Sequence, residues 1–60
     1  MLIRFTRADG QTISINPEMV RYVAPYGDGR MSIVHFSKDH FVLVEGDQAY
    51  VTSALDTGPR

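Results

Sequence analysis

The sequence predicts a small, mainly β (α+β) fold: a five-stranded antiparallel meander, strongly twisted or partly closed into a barrel, with one short C-terminal helix. Three observations lead there. Short runs rich in Ile, Val, Phe, Thr and Tyr lie between turn signals at Asp9-Gly10, Asn16-Pro17, Gly27-Asp28-Gly29, Lys38-Asp39 and Gly46-Asp47. The first runs alternate apolar and polar residues with the period of a half-buried strand. After Gly46, Ala49, Ala54 and Leu55 enter and apolar positions recur at helical spacing.

The first hairpin follows in detail. Ile3 and Phe5 alternate with Arg4 and Thr6, and Ile13 and Ile15 alternate with Thr12 and Ser14. A two-residue Asp9-Gly10 turn would oppose Phe5 to Ser14, whereas an Ala8-Asp9-Gly10 loop opposes Ile3 to Ile15, Phe5 to Ile13 and Thr6 to Thr12. Opposed residues share a face, so only the second register keeps one face apolar. It also puts Gly10 where three-residue loops need a positive φ.

Asn16-Pro17-Glu18-Met19 reads as one helical turn, with Asn as N-cap, Pro at the first helical position and Glu near the positive end of the dipole. The third strand is expected from Val20 to Tyr26, with Pro25 placing its far end at an edge or bulge. Gly27-Asp28-Gly29 then turns the chain into Met31 to Phe36. With Lys38-Asp39 as the next loop, Phe36 is expected opposite Phe41 and Val34 opposite Leu43. The other face sets His35 against Val42 and Ile33 against Val44. Both faces are apolar, so the pair needs cover on both sides. Either both faces are core, or one face or an exposed edge strand is an association surface.

Two readings stand for the last segment. Asp47 caps a short helix in which Tyr50/Ala54 and Val51/Leu55 form a stripe, stopped by Gly58-Pro59. Alternatively, Gly46-Asp47 is a hairpin turn and Gln48 to Ser53 a sixth strand. Ala49, Ala54 and Leu55 favour the helix, the reading adopted here, while Tyr50-Val51-Thr52 favours the strand. The whole is expected to be one domain over residues 1–57, with 58–60 frayed.

Composition narrows the function. A chain of 60 residues buries only ~60 % of its unfolded surface, so small domains turn to disulfides, metals, fine packing or oligomerisation. Cysteine is absent, which excludes disulfides and thiolate metal sites. His35 and His40 alone make no convincing metal site without Asp39 or Glu45. Packing and self-association remain, and a homodimer or higher assembly is expected. Six Lys/Arg balance seven Asp/Glu without blocks of either sign, unlike the positive excess of phosphate binders. The longest apolar run, Phe41 to Val44, is far short of the ~20 residues of a membrane helix. Met1-Leu2-Ile3-Arg4-Phe5 lacks the charged n-region and long apolar stretch of a signal peptide, so none is expected. No membrane insertion and a cytoplasmic location are expected.

Candidates for chemistry are few. Ser32, Ser37 and Ser53 have no Gly-x-Ser-x-Gly elbow or other activating context around them. Gly27-Asp28-Gly29 lacks a following Walker lysine and reads as a turn. No catalytic, cofactor or metal residues are expected, and the chain is read as no enzyme. The interaction residues expected are Ile33, His35, Val42, Val44, Phe36 and Phe41. The alternative is a small barrel-like nucleic-acid binder using Arg4, Arg21, Tyr22 and Arg30, with Tyr26 beside them.

Thr6-Arg7-Ala8-Asp9-Gly10, then Ile15-Asn16-Pro17-Glu18-Met19-Val20, then Phe41-Val42-Leu43-Val44-Glu45 together resemble the small flagellar FlbD-like family of bacterial proteins. The resemblance covers residues 1 to about 55. The turn Tyr26-Gly27-Asp28-Gly29-Arg30 is longer and richer in glycine than the family's, and the final segment is less charged. The resemblance implies a flagellum-associated accessory or regulatory binding protein and carries no catalytic residues. The function expected is thus a small, self-associating, non-catalytic protein–protein interaction module.

Overall fold

The computed structural model describes residues 2–56, and the expectations for a Gly58-Pro59 stop and a frayed end lie outside them. The fold is mainly β, with five strands and one C-terminal helix. β1 (Ile3–Thr6) and β2 (Thr12–Ile15) form an antiparallel hairpin. A 3-10 turn at Pro17–Met19 leads to β3 (Tyr22–Tyr26), β4 (Met31–Ser37) and β5 (His40–Glu45), which form a second antiparallel sheet in that order. α1 (Gln48–Asp56) is the last described element.

The first hairpin has the register that the face argument requires, with Ile3 opposite Ile15, Phe5 opposite Ile13 and Thr6 opposite Thr12. Gly10 takes φ +89° in its loop, a conformation that costs glycine nothing. Asn16 caps the 3-10 turn, its Oδ1 accepting from the Glu18 N–H at 3.0 Å. Val20 belongs to the approach to β3, because its N–H donates to the Pro17 carbonyl and so cannot serve a ladder there, whereas the Arg21 N–H donates to the His35 carbonyl at 2.8 Å just ahead of the strand. Pro25 sits on β3, an edge strand of its sheet, as its missing N–H demands.

One meander, closed or partly closed, is not what forms. The 3-10 turn lifts the chain from one layer to the other, so β2 and β3 do not pair. β1 lies beside β5 instead, joined by an Arg7–Val44 bridge and by the Ala8 N–H donating to the Leu43 carbonyl at 3.3 Å.

The β4–β5 register also differs from the expectation. The Lys38-Asp39 loop is present, with Ser37 opposite His40, but beyond it the ladder shifts by one residue. His35 faces Phe41, Val34 faces Val42, Ile33 faces Leu43 and Ser32 faces Val44. Phe36 is the extra residue of a β-bulge. Two-residue hairpin loops match strand twist when both residues take positive φ, the habit of Asn-Gly pairs. Among the described residues no non-glycine has a positive φ, so Lys38-Asp39 leaves a twist mismatch. The bulge takes it up, since bulges add local right-handed twist.

The core lies between the three-stranded sheet and a layer made by the hairpin and the helix. Phe5 and Ile15 come from the hairpin, Val34 and Val44 from the sheet and Val51 from α1. Ser32 is fully buried among them, and its hydroxyl donates to the Gly46 carbonyl at 2.8 Å. The segment after Gly46 is helical and capped as expected, the Tyr50 N–H donating to Asp47 Oδ1 at 2.8 Å. Its inward residues are Val51, Ala54 and Leu55, whereas Tyr50 is exposed. Gln48 Nε2 donates to the Val23 carbonyl at 3.1 Å and ties the helix to β3.

Candidate interaction surface

The hairpin and the helix cover one face of the β3–β4–β5 sheet, and the opposite face is open among the described residues. Its residues follow from the two ladders. Tyr22, His35 and Phe41 make one row across the strands; Ala24, Ile33 and Leu43 make the next; Tyr26, Met31 and Glu45 make the third. Eight of these nine are aromatic, imidazole or aliphatic, and Glu45 at one corner carries the only formal negative charge. Tyr22, Tyr26 and Phe41 remain 56, 46 and 53 % exposed.

The first row is ordered by ring contacts. Tyr22 and His35 stack with centroids 4.2 Å apart and planes 18° from parallel, and Phe41 tilts against His35 at 5.7 Å. These rings hold one another in place, which lowers the entropy lost when something covers them. Open aromatic area of this kind is uncommon on a small domain except at binding surfaces.

The bulge at Phe36 decides which residues stand here. Of the six expected interaction residues, Ile33, His35 and Phe41 lie on the open face. Val44 is fully buried, Val42 and Phe36 pack against the core, and the expected pairing of His35 with Val42 and Ile33 with Val44 is replaced. Tyr22, Ala24, Tyr26, Met31 and Leu43 complete the face. The alternation Tyr22-x-Ala24-x-Tyr26 and Met31-x-Ile33-x-His35 makes two columns readable from sequence. The third column required the bulge, whose one sequence signal is a two-residue loop without Asn or Gly.

The arginines do not come together as one patch. Arg4 is on β1, outside the three-stranded sheet, and shares a cleft with Glu45 and Tyr50. Arg21 and Arg30 flank opposite ends of the β3–β4 ladder, about 15–20 Å apart at ~3.4 Å per residue. Arg30 Nε lies 3.4 Å from Asp28 Oδ2, an exposed pair, and Arg7 pairs likewise with Asp9. Ser32 spends its hydroxyl on the Gly46 carbonyl, while Ser37 and Ser53 are exposed. The His40 ring leans on Phe36, centroids 5.2 Å apart, on the core side of the sheet. The two histidines therefore occupy opposite faces.

Among the described residues, no three His, Asp or Glu side chains stand close enough to hold a metal ion, and no helix is long and apolar enough to cross a membrane. Compared with known proteins, the chain matches no family model, no curated protein and no solved structure.

Proposed function

We propose that this chain is a non-catalytic protein–protein interaction module that self-associates, and that its binding surface is the open face of the three-stranded sheet. One observation carries the reading: the ordered row Tyr22–His35–Phe41 with Tyr26 nearby, in which Tyr22 and Phe41 hold His35 between them and the three larger rings stay about half open to water. Aromatic anchors with little charge among them are what the centres of protein interfaces are made of. The nearly even charge balance supports a protein partner over a polyanion. The likeness of Thr6-Arg7-Ala8-Asp9-Gly10 and Ile15-Asn16-Pro17-Glu18-Met19 to FlbD-like proteins supports a flagellum-associated accessory role in the cytoplasm.

The test is a tagged pull-down from native lysate with the wild type and a folded Tyr22→Ser/Phe41→Ser variant, eluates being analysed for protein and nucleic acid at low and high salt. A protein retained at high salt by the wild type and lost by the variant is the expected result, because apolar contacts do not weaken with ionic strength. A salt-labile eluate of RNA or DNA, held equally by both, overturns the proposal.

A further inference from the structure

We infer that the open face is covered by a second copy of this chain, related by a two-fold axis that runs along β4 between two face-to-face sheets. This rests on the interaction reading above and adds the occupant and its geometry.

The nine-residue grid is the starting point. A two-fold along β4 keeps each row at its own level and exchanges β3 with β5. Ala24 then meets Leu43 of the second copy, Tyr22 meets its Phe41 and Tyr26 meets its Glu45. Ile33 packs on Ile33 at the centre. Small lies against large, aromatic against aromatic, and the one charged corner receives a phenolic O–H that donates to the carboxylate. Each β3–β5 contact occurs twice, while Ile33, His35 and Met31, on the axis, each meet their own counterpart once, as an isologous interface requires.

The other ways of laying the face on itself fit poorly. A two-fold running across the strands exchanges the first and third rows. It sets Ala24 on Ala24, leaving a void, Leu43 on Leu43, crowding the same level, and Glu45 under Phe41, where a carboxylate loses water to a ring that offers it no donor. Crossing the sheets at right angles lays a row spacing of ~6.8 Å over a strand spacing of ~4.8 Å, so the two grids fall out of step. Aligned sheets cross at about 30° because each is twisted, which shifts the grid corners by only about 4 Å, within a tyrosine's reach.

Area points the same way and sets the strength. At ~200 Å² apiece, three aromatics with the exposures given above leave about 300 Å² open. With the partly covered remainder, each copy offers about 500 Å², or about 1,000 Å² for the pair, near the lower bound of a specific interface. The assembly is therefore a concentration-dependent dimer and not a permanent one.

The absence of native cysteine makes single-cysteine variants clean reporters. Ala24→Cys and Leu43→Cys are oxidised separately and as an equimolar mixture, after circular dichroism confirms folding, and sedimentation equilibrium gives the wild-type mass. A wild-type monomer–dimer equilibrium, with the mixed Ala24→Cys/Leu43→Cys disulfide dominant over either self-product, is the expected result. A dimer that cross-links through Ala24→Cys alone overturns the axis while leaving the interaction reading intact. A monomer at every concentration overturns the second copy as occupant. In that case a partner lost in the Tyr22→Ser/Phe41→Ser pull-down would still uphold the interaction reading, and loss of both results would remove it. Should Leu43→Cys not fold, the exposed pair Tyr26→Cys and Glu45→Cys, joined by a short bismaleimide, makes the same distinction.

Discussion

Val44→Ala and Phe41→Ala test the bulged register, because the two possible registers exchange their roles. As observed, Val44 is fully buried in the core and Phe41 is 53 % exposed on the open face. Truncating Val44 removes two buried methyls, ~0.8 kcal/mol each in transfer terms, and leaves a cavity, for a total of about 2–3 kcal/mol. A domain of 60 residues has only ~3–9 kcal/mol of stability in all. At ~4–8 °C per kcal/mol for this size, the melting temperature should fall by about 10–20 °C. Truncating Phe41 removes a tilted contact with His35 at 5.7 Å and some exposed area, about 0.5–1 kcal/mol for a cross-strand pair, hence ~5 °C. Melts followed by circular dichroism at low protein concentration measure folding apart from association. Sedimentation at high concentration should show the reverse order, with Phe41→Ala losing the proposed dimer and Val44→Ala keeping it wherever it is folded. If Phe41→Ala costs as much stability as Val44→Ala or more, Phe41 is inside, the hairpin has no bulge at Phe36, and the assignment of the open face fails with it.

Three further substitutions probe how the chain passes from β5 into α1. Ser32→Ala takes from the Gly46 carbonyl its 2.8 Å donor, the hydroxyl of a fully buried serine, in a partly buried hydrogen bond, and urea denaturation should show a loss of about 1–2 kcal/mol. Gly46→Ala forces a β-carbon into a residue at φ +110°, 2.5 Å from Tyr50 Cδ2; the loss should be ~1–3 kcal/mol. A double-mutant cycle with Tyr50→Ser should return the steric part alone. Asp47→Ala removes the cap on the Tyr50 N–H and should cost about 1 kcal/mol, whereas Asp47→Asn should retain most of it, as read from chemical denaturation midpoints.

The elements legible in the sequence are those set by interactions between near neighbours in the chain. The Ile3/Ile15 and Phe5/Ile13 register was readable because a slip of one residue would turn Ile13 and Ile15 to solvent, and Gly10 supplied the matching loop. The Asn16 and Asp47 caps were readable because each bonds a backbone N–H two or three residues on. Even the undecided tail was settled by such terms, since a cap and a four-residue stripe of Val51 and Leu55 outweighed the β-propensity of Tyr50-Val51-Thr52.

Tertiary structure decided what local terms leave degenerate. Ile33, Val34, Val42, Leu43 and Val44 are apolar on both faces, so no burial pattern distinguishes one register of that hairpin from the next. The twist of the Lys38-Asp39 turn and the fit of Val34 and Val44 against Phe5, Ile15 and Val51 make the choice. That choice turns Phe41 and Leu43 outward. Whether β1 lies beside β5 or β2 beside β3 is likewise fixed by how the hairpin layer docks, a contact between segments some forty residues apart. Sequence alone established a small β domain and, in the two apolar faces of its last hairpin, a choice between two buried faces and one left open. Packing alone determined which residues are left outside, because core and open face compete for the same kinds of side chain.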